Sequence, residues 1–216
     1  MSFLGVDASL TGRRWVGPGV EVERATEVLV QQTSLPLALC QVLARRGVAA
    51  EEAEAFLAPS LRDLLPDPRS LRDMEKAATR FLAAVKARQR IAVFADYDVD
   101  GGSSAALLLV WLREMGCAAT LYVPDRIDEG YGLTAEGVSN CVREHQPNIL
   151  LAVDCGSTSF EVIQDLQGQG IDVIVLDHHQ VSEPPPPAQT IVNPQLATED
   201  EPDYRELCSA GLAFKL

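Results

Sequence analysis

The chain of 216 residues is 47% hydrophobic and 23% charged, enough for one large domain or two small ones, and it is neither a disordered chain, a collagen nor a disulfide scaffold. Its formal net charge of −13 is uneven: residues 1–90 hold 13 basic and 11 acidic side chains, and residues 91–216 hold 5 and 20. An acidic half of this size repels a phosphodiester backbone unless cations intervene, so it either avoids nucleic acid or binds metal first.

The opening, MSFLGVDASLTGRR, places its arginines after a short mixed segment, the reverse of a secretory leader. The longest apolar stretch, Ala105 to Leu112, is eight residues, against about 20 needed to span a bilayer. A cytoplasmic chain without membrane association is therefore expected. Five cysteines (Cys40, Cys117, Cys141, Cys155, Cys208) form no CxxC pair and are expected as reduced, mostly buried thiols.

Apolar spacing predicts short helices over 21–31, 36–46 and 50–57, the last two stopped by Gly47 and Pro59. A turn-rich stretch, LLPDPRS at 64–70, separates them from a longer helix expected over about 71–88. The cations between Arg62 and Arg90 fit a solvated face of that helix better than a phosphate-binding stripe. From residue 91 the pattern changes. Runs of IAVFA (91–95), ATLYV (119–123), ILLAV (149–153), DVIVL (172–176) and TIV (190–192) read as buried strands, with helical stretches near 103–115, 134–145 and 158–167 between them. The expected fold class is α/β, an open, mainly parallel, doubly wound sheet in residues 71–216, preceded by a helical N-terminal arm in residues 1–70.

Ligands of such sheets bind beyond the carboxyl ends of the strands. The first strand is followed by Asp96-Tyr97-Asp98-Val99-Asp100-Gly101-Gly102-Ser103-Ser104, the third by Asp154-Cys155-Gly156-Ser157, and the fourth by Asp177-His178-His179. After the second come Asp125, Arg126, Asp128 and Gly130-Tyr131-Gly132, with Arg126 a candidate for substrate phosphate. In an extended strand end, residues two apart share a side, so Asp96, Asp98 and Asp100 are expected to converge. Like charges about 4 Å apart repel by roughly 4 kcal/mol at an effective dielectric of 20, so such a cluster calls for counter-cations. Helix capping explains one aspartate before a helix, not matching acids on three loops. An EF-hand is the weaker option, because Leu107 stands at the twelfth position and a strand precedes the motif. Carboxylates with imidazoles favour Mn²⁺ or Mg²⁺ over zinc, and Cys155 reads as packing. His145 sits at a helix C-terminus and reads as structural. Ser103 and Ser104, at the expected helix start, are candidates to hold a phosphate oxygen.

The motifs DYDVDG with GSSAALLL, then VPDRIDEGYG, VDCG, LDHH, VNP and LCSAGLAFKL, resemble those of the DHH phosphoesterase superfamily, and within it the RecJ-type exonucleases specific for single-stranded DNA. The segments FLGVDASLTGRRWVGPG and FLAPSLRDLLPDP resemble the N-terminal arm of the same family. The resemblance implies a phosphodiesterase with two Mn²⁺ or Mg²⁺ ions that removes nucleotides from the 5′ end of single-stranded DNA in repair and recombination. It implies that Asp98, Asp100, Asp154 and His178 hold the metals with Asp154 bridging, and that Asp96 is a ligand or supports one. Asp177 would orient a histidine and His179 would face the scissile phosphate. The implied partners are single-stranded DNA and, by family, a repair helicase or a single-strand-binding protein.

RecJ-type proteins continue past the point where this sequence ends, with a further metal-binding aspartate, a DHH-associated domain and an oligonucleotide-binding-fold domain. The chain thus resembles an N-terminal catalytic portion, expected to have little or no exonuclease activity alone and to leave Leu212, Phe214 and Leu216 of its last helix exposed. Superfamily relatives also cleave cyclic dinucleotides, short RNA or pyrophosphate, or serve as non-catalytic replication scaffolds. The arm argues against the first alternative and the intact ligand positions against the second.

Overall fold

The computed structural model describes residues 2–61, 65, 67–202 and 204–216. Contacts divide the chain between residues 65 and 66 into two compact units. That division comes a little before the boundary expected after residue 70, and Arg62, Leu64 and Pro66 lie outside the described residues.

In the first unit, residues 2–16 fold back on themselves, with the Phe3 N–H donating to the Trp15 carbonyl (3.0 Å) and the Trp15 N–H to that of Val6 (3.1 Å). Helices α1 (Val20–Gln32), α2 (Leu37–Arg45) and α3 (Ala53–Leu57) follow. The first ends where the Thr33 N–H and hydroxyl both bond back to the Leu29 carbonyl. Leu29, Cys40, Leu43, Ala44, Val48 and Ala53 form the small core of this unit.

The second unit runs α4 (Met74–Lys86), β1 (Ile91–Ala95), α5 (Val99–Glu114), β2 (Ala119–Tyr122), α6 (Ala135–His145), β3 (Ile149–Val153), α7 (Phe160–Gly168), β4 (Asp172–Leu176), β5 (Thr190–Val192) and α8 (Ser209–Lys215). All strand pairs are parallel, in the order β2-β1-β3-β4-β5. Alternate strand residues serve opposite faces. Ile91, Val93 and Ala95, with Ile149, Leu151, Val153, Ile174 and Leu176, pack with residues of α4, α5 and α8. Ala92, Phe94, Leu150, Ala152, Val173 and Val175 pack with residues of α6 and α7. Burial on both faces explains the continuous apolar runs, since each large aliphatic side chain removed from water contributes about 1.5–3 kcal/mol.

Three of the cations expected on or before α4 are committed within this unit. Arg69 pairs with Asp67 (2.7 Å), Arg72 donates to the Leu196 carbonyl (2.9 Å), and Arg80 pairs with Asp172 at the start of β4 (2.6 Å). Two expectations need correction. Helix α5 starts at Val99 rather than near 103, because the Asp98 carboxylate accepts the Asp100 and Gly101 N–H groups and caps it. The last helix is not unpartnered: Leu212 is fully buried against the sheet and α5, Leu216 is half-buried, and only Phe214 is exposed (61%). Among the described residues no helix is long and apolar enough to cross a membrane.

Candidate metal centre

The strand register aligns Ala95 with Val153, Val153 with Leu176 and Leu176 with Val192. The next residues, Asp96, Asp154, Asp177 and Asn193, therefore stand side by side along the carboxyl edge of the sheet. The ladder continues through them: the Asp96 N–H donates to Val153 (3.3 Å), that of Asp154 to Leu176 (2.9 Å) and that of Asp177 to Val192 (3.2 Å). All four are buried, none exposing more than 2%. Strand order reverses between β1 and β3, so Asp96 and Asp154 flank the crevice where ligands of open parallel sheets bind.

Each loop then aims its own side chains. After Asp96 the chain turns at once into α5, whose first turn lies so close that a Cβ on Gly101 would come within 2.3 Å of the Asp96 carbonyl oxygen. Only glycine fits there. Asp154 takes a left-handed backbone conformation (φ 61°), sparsely populated by residues other than glycine, asparagine and aspartate. After β4 the backbone curls around Asp177, whose Oδ1 accepts the His178 N–H (2.8 Å), the His179 N–H (3.2 Å) and His179 Nδ1 (2.8 Å), and whose Oδ2 accepts the Ser157 N–H (3.2 Å).

The result is two groups of donors with one shared member. One atom each from Asp96, Asp98 and Asp154 lies within 4.8 Å of the others, and the same is true of Asp154, His178 and His179. His178 Nε2 is 3.4 Å from Asp154 Oδ1 and 3.6 Å from Asp100 Oδ2. Among the described residues, buried Asp96 Oδ1, Asp96 Oδ2 and Asp154 Oδ2 have no hydrogen-bond partner. Such atoms are costly unless something compensates them.

The convergence expected for the DYDVDG motif holds for Asp96 and Asp98 but not for Asp100. Asp98, still extended, is the helix cap, and Asp100 lies in the first helical turn, because the helix begins at Val99. Asp100 belongs to neither donor group: its two oxygens accept the Ser209 and Ala210 N–H groups (2.8 Å each) and cap α8, leaving only the longer approach to His178. Ser103 and Ser104 do not join the cluster. With α5 beginning four residues earlier than expected, Ser104 is buried and its hydroxyl bonds back to the Asp100 carbonyl (2.7 Å), while Ser103 lines a groove with Phe81, Leu107 and Trp111. Arg126 lies exposed with its guanidinium 5.3 Å from the Tyr97 ring centre, and Tyr97 in turn meets Tyr131 edge-on (6.0 Å). Cys155 is buried in the core, and His145 packs edge-on against Tyr122 in the second unit.

Three supporting residues were not singled out from sequence. The Asn193 amide donates to Ser157 Oγ (2.8 Å) and to the His179 carbonyl (2.9 Å), tying the β5 end to the loops after β3 and β4. The Ser209 hydroxyl donates to Asp154 Oδ1 (3.1 Å). The Tyr131 hydroxyl faces Asp96. For Asn193 the available signal was its place in VNP directly after a predicted strand; for Ser209 there was none, because its role depends on where α8 docks.

The electrostatics separate the carboxylates. Burial first, then the neighbouring Asp98 and Asp100 carboxylates, push Asp154 up to about 7. Burial also raises Asp96. The Gly101 N–H chiefly holds Asp98 below its ordinary value. Burial alone would raise Asp177, but hydrogen bonds from Ser157 and His179 overcome it and leave it low. His179 is lowered by burial and raised more by Asp177, with Asp154 and Asp96 adding to the rise. Only oxygen and nitrogen donors converge, several of them unpartnered, a set that suits a hard divalent cation such as Mn²⁺ or Mg²⁺.

Comparison with known proteins follows the same outline. The model of the DHH family, N-terminal domain, matches residues 90–216. The chain is 31% identical over 189 residues to the single-stranded-DNA-specific exonuclease RecJ of Bacillus subtilis (strain 168), an alignment that covers 87% of this chain and 24% of that protein. It resembles the crystal structure of exonuclease RecJ bound to manganese (TM-score 0.60, 34% identity, 67% of this chain and 36% of the other). It also resembles RecJ in complex with Mn²⁺ from Thermus thermophilus (TM-score 0.67, 26% identity, 93% and 26%). The chain spans about a quarter to a third of the length of the curated RecJ proteins it matches.

Proposed function

This chain belongs to the DHH family, and from that premise we propose that it is the catalytic part of a metal-dependent phosphodiesterase, a 5′-to-3′ exonuclease of single-stranded DNA that serves repair and recombination in the cytoplasm. Residues 71–216 are then the catalytic domain and residues 1–70 a helical arm. The observation that carries this is the sharing of Asp154 between two donor groups whose buried carboxylate oxygens lack hydrogen bonds.

Asp96, Asp98, Asp154 and His178 would hold two ions, Mn²⁺ or Mg²⁺, with Asp154 shared between the two donor groups and Asp100, in the first turn of α5, supporting His178. Two such ions, when bound, activate a water and stabilise the attacking and leaving oxygens of an in-line displacement. The other residues position the substrate. Asp177 holds His179 by Nδ1, which leaves Nε2 to present an N–H to a phosphate oxygen, and the surrounding carboxylates keep that proton in place. Arg126, exposed beside Tyr97, would meet a further phosphate. Partners would be single-stranded DNA and a repair helicase or single-strand-binding protein, as the similarity to RecJ suggests.

The test has two parts. Calorimetry of this chain with Mn²⁺ should show two sites, lost in Asp154→Asn. A protein extended to the length of the RecJ relatives should release labelled mononucleotides from 5′-labelled single strands, leave duplex intact and lose activity with the same substitution. Two undiminished Mn²⁺ sites in Asp154→Asn, or release by that variant at the parent rate, would refute the assignment.

A further inference from the structure

The first unit carries a cationic groove on an acidic chain. Its folded-back N-terminal segment and the last turn of α2 enclose an open groove of about 420 Å³. Arg13, Arg14 and Arg45 line it, together with Phe3, Trp15 and Ser9, and no acidic side chain does. Among the described residues Arg13 and Arg45 have no ion-pair partner, and the carboxylate paired with Arg14, that of Asp7, is 4.0 Å away with both side chains largely exposed. Trp15 and Phe3 leave 46% and 39% of their surface to solvent.

The groove is held open by its own backbone. Phe3 and Trp15 are joined by a main-chain hydrogen bond, and the Ser9 hydroxyl accepts the Thr11 and Arg13 N–H groups, which fixes the turn carrying the arginines. The Phe3 ring lies over Gly17, where a Cβ would come within 2.8 Å of it. Two exposed aromatic rings are thus fixed beside three guanidinium groups, two from the N-terminal segment and one from the end of α2. Guanidinium forks match phosphate oxygens, and an exposed ring offers a base a face to stack on; together they form the usual surface for an unpaired strand. An acidic peptide would satisfy the arginines and leave both rings wet.

We propose that this groove on the N-terminal arm is a second contact for single-stranded nucleic acid, with Arg13, Arg14 and Arg45 on phosphates and Trp15 stacking a base. The identity of the ligand rests on the exonuclease reading; the groove itself is independent of the carboxylate cluster. The test is fluorescence anisotropy of a labelled oligothymidylate with the full chain in EDTA, at low and at physiological salt. Without metal there is no hydrolysis, so a failed exonuclease assay leaves this result standing, and a failure here leaves the Mn²⁺ test standing.

Charge reversal in Arg13→Glu/Arg45→Glu should weaken binding at least tenfold and flatten its salt dependence. Trp15→Ala should weaken it roughly tenfold, with Trp15→Phe recovering most of the loss. All three residues are exposed, and unchanged circular dichroism and Mn²⁺ titration would confirm that the variants fold. Affinity unchanged by the charge reversal overturns the proposal. So does an oligoglutamate that competes as well as the oligonucleotide while Trp15→Ala has no effect, which would mark a surface for acidic peptides.

Discussion

Asp177 at the end of β4 and Asp96 at the end of β1 are the same residue type, in the same row and equally buried. Their surroundings are opposite. Asp177 is saturated by N–H donors from Ser157, His178 and His179, while among the described residues neither oxygen of Asp96 has a hydrogen bond. What differs is the loop that follows: after β4 the backbone curls its N–H groups onto the carboxylate, and after β1 the chain leaves directly into a helix that Asp98 caps. A saturated carboxylate holds its neighbours in place; an unsaturated one is available to something else. Asp154, with one oxygen on Ser209 and the other free, stands between them.

The sharpest way to break that contrast is to remove the shared carboxylate. Asn adopts the left-handed conformation of Asp154 readily, so Asp154→Asn changes charge with little backbone cost. Mn²⁺ affinity should fall by about a hundredfold or more with both sites affected, measured by calorimetry. Loss of a single site would place Asp154 on one ion only.

Next in size, stability in EDTA should move in opposite directions at the two ends of the row. Asp177→Asn removes a charged acceptor from several N–H groups and should cost about 2–3 kcal/mol in urea unfolding. Asp96→Asn removes an unpaired buried charge and should raise metal-free stability by about 1 kcal/mol, with the gain lost once Mn²⁺ is added. If both substitutions destabilise equally in EDTA, the distinction between saturated and open carboxylates fails.

The adjacent histidines should separate by role. His178→Ala should lower Mn²⁺ affinity about tenfold, while His179→Ala should retain more of it and mainly lower turnover in a protein of the relatives' length. Equal loss of metal from both would show that His179 is a ligand rather than a group facing substrate. The smallest effect is expected at Asn193→Ala, which unties Ser157 and the His179 carbonyl. About 1 kcal/mol of unfolding free energy should be lost, with the Mn²⁺ stoichiometry kept.

Much of this was legible in the residues. The β-branched runs at 91–95, 149–153 and 172–176 are strands over those same spans, because a parallel strand buried on both faces has to be apolar throughout. The acids after them are drawn together by register, which follows once the strands pair in parallel. The geometry of the DYDVDG motif was not legible in this way. Asp98 can either continue a strand or cap a helix, and capping won because the free N–H groups of α5 needed an acceptor. That choice moved Asp100 into the helix and took Ser103 and Ser104 away from the crevice. The burial of Leu212 and the role of Ser209 were hidden altogether, since they depend on which distant segment docks where.

Gly101 has a mechanical consequence. Helix α5 is a rod of 16 residues, about 24 Å long, seated at one end on the Asp96 carbonyl with no slack for even a methyl group. At its other end Leu108 and Leu112 are wedged into the sheet core. A rod pivoted on one tight point and clamped at the far end transmits tilt. A cavity opened beneath Leu112 should therefore shift the carboxylates of Asp98 and Asp100 without touching either, and weakened Mn²⁺ binding in Leu112→Ala would show it.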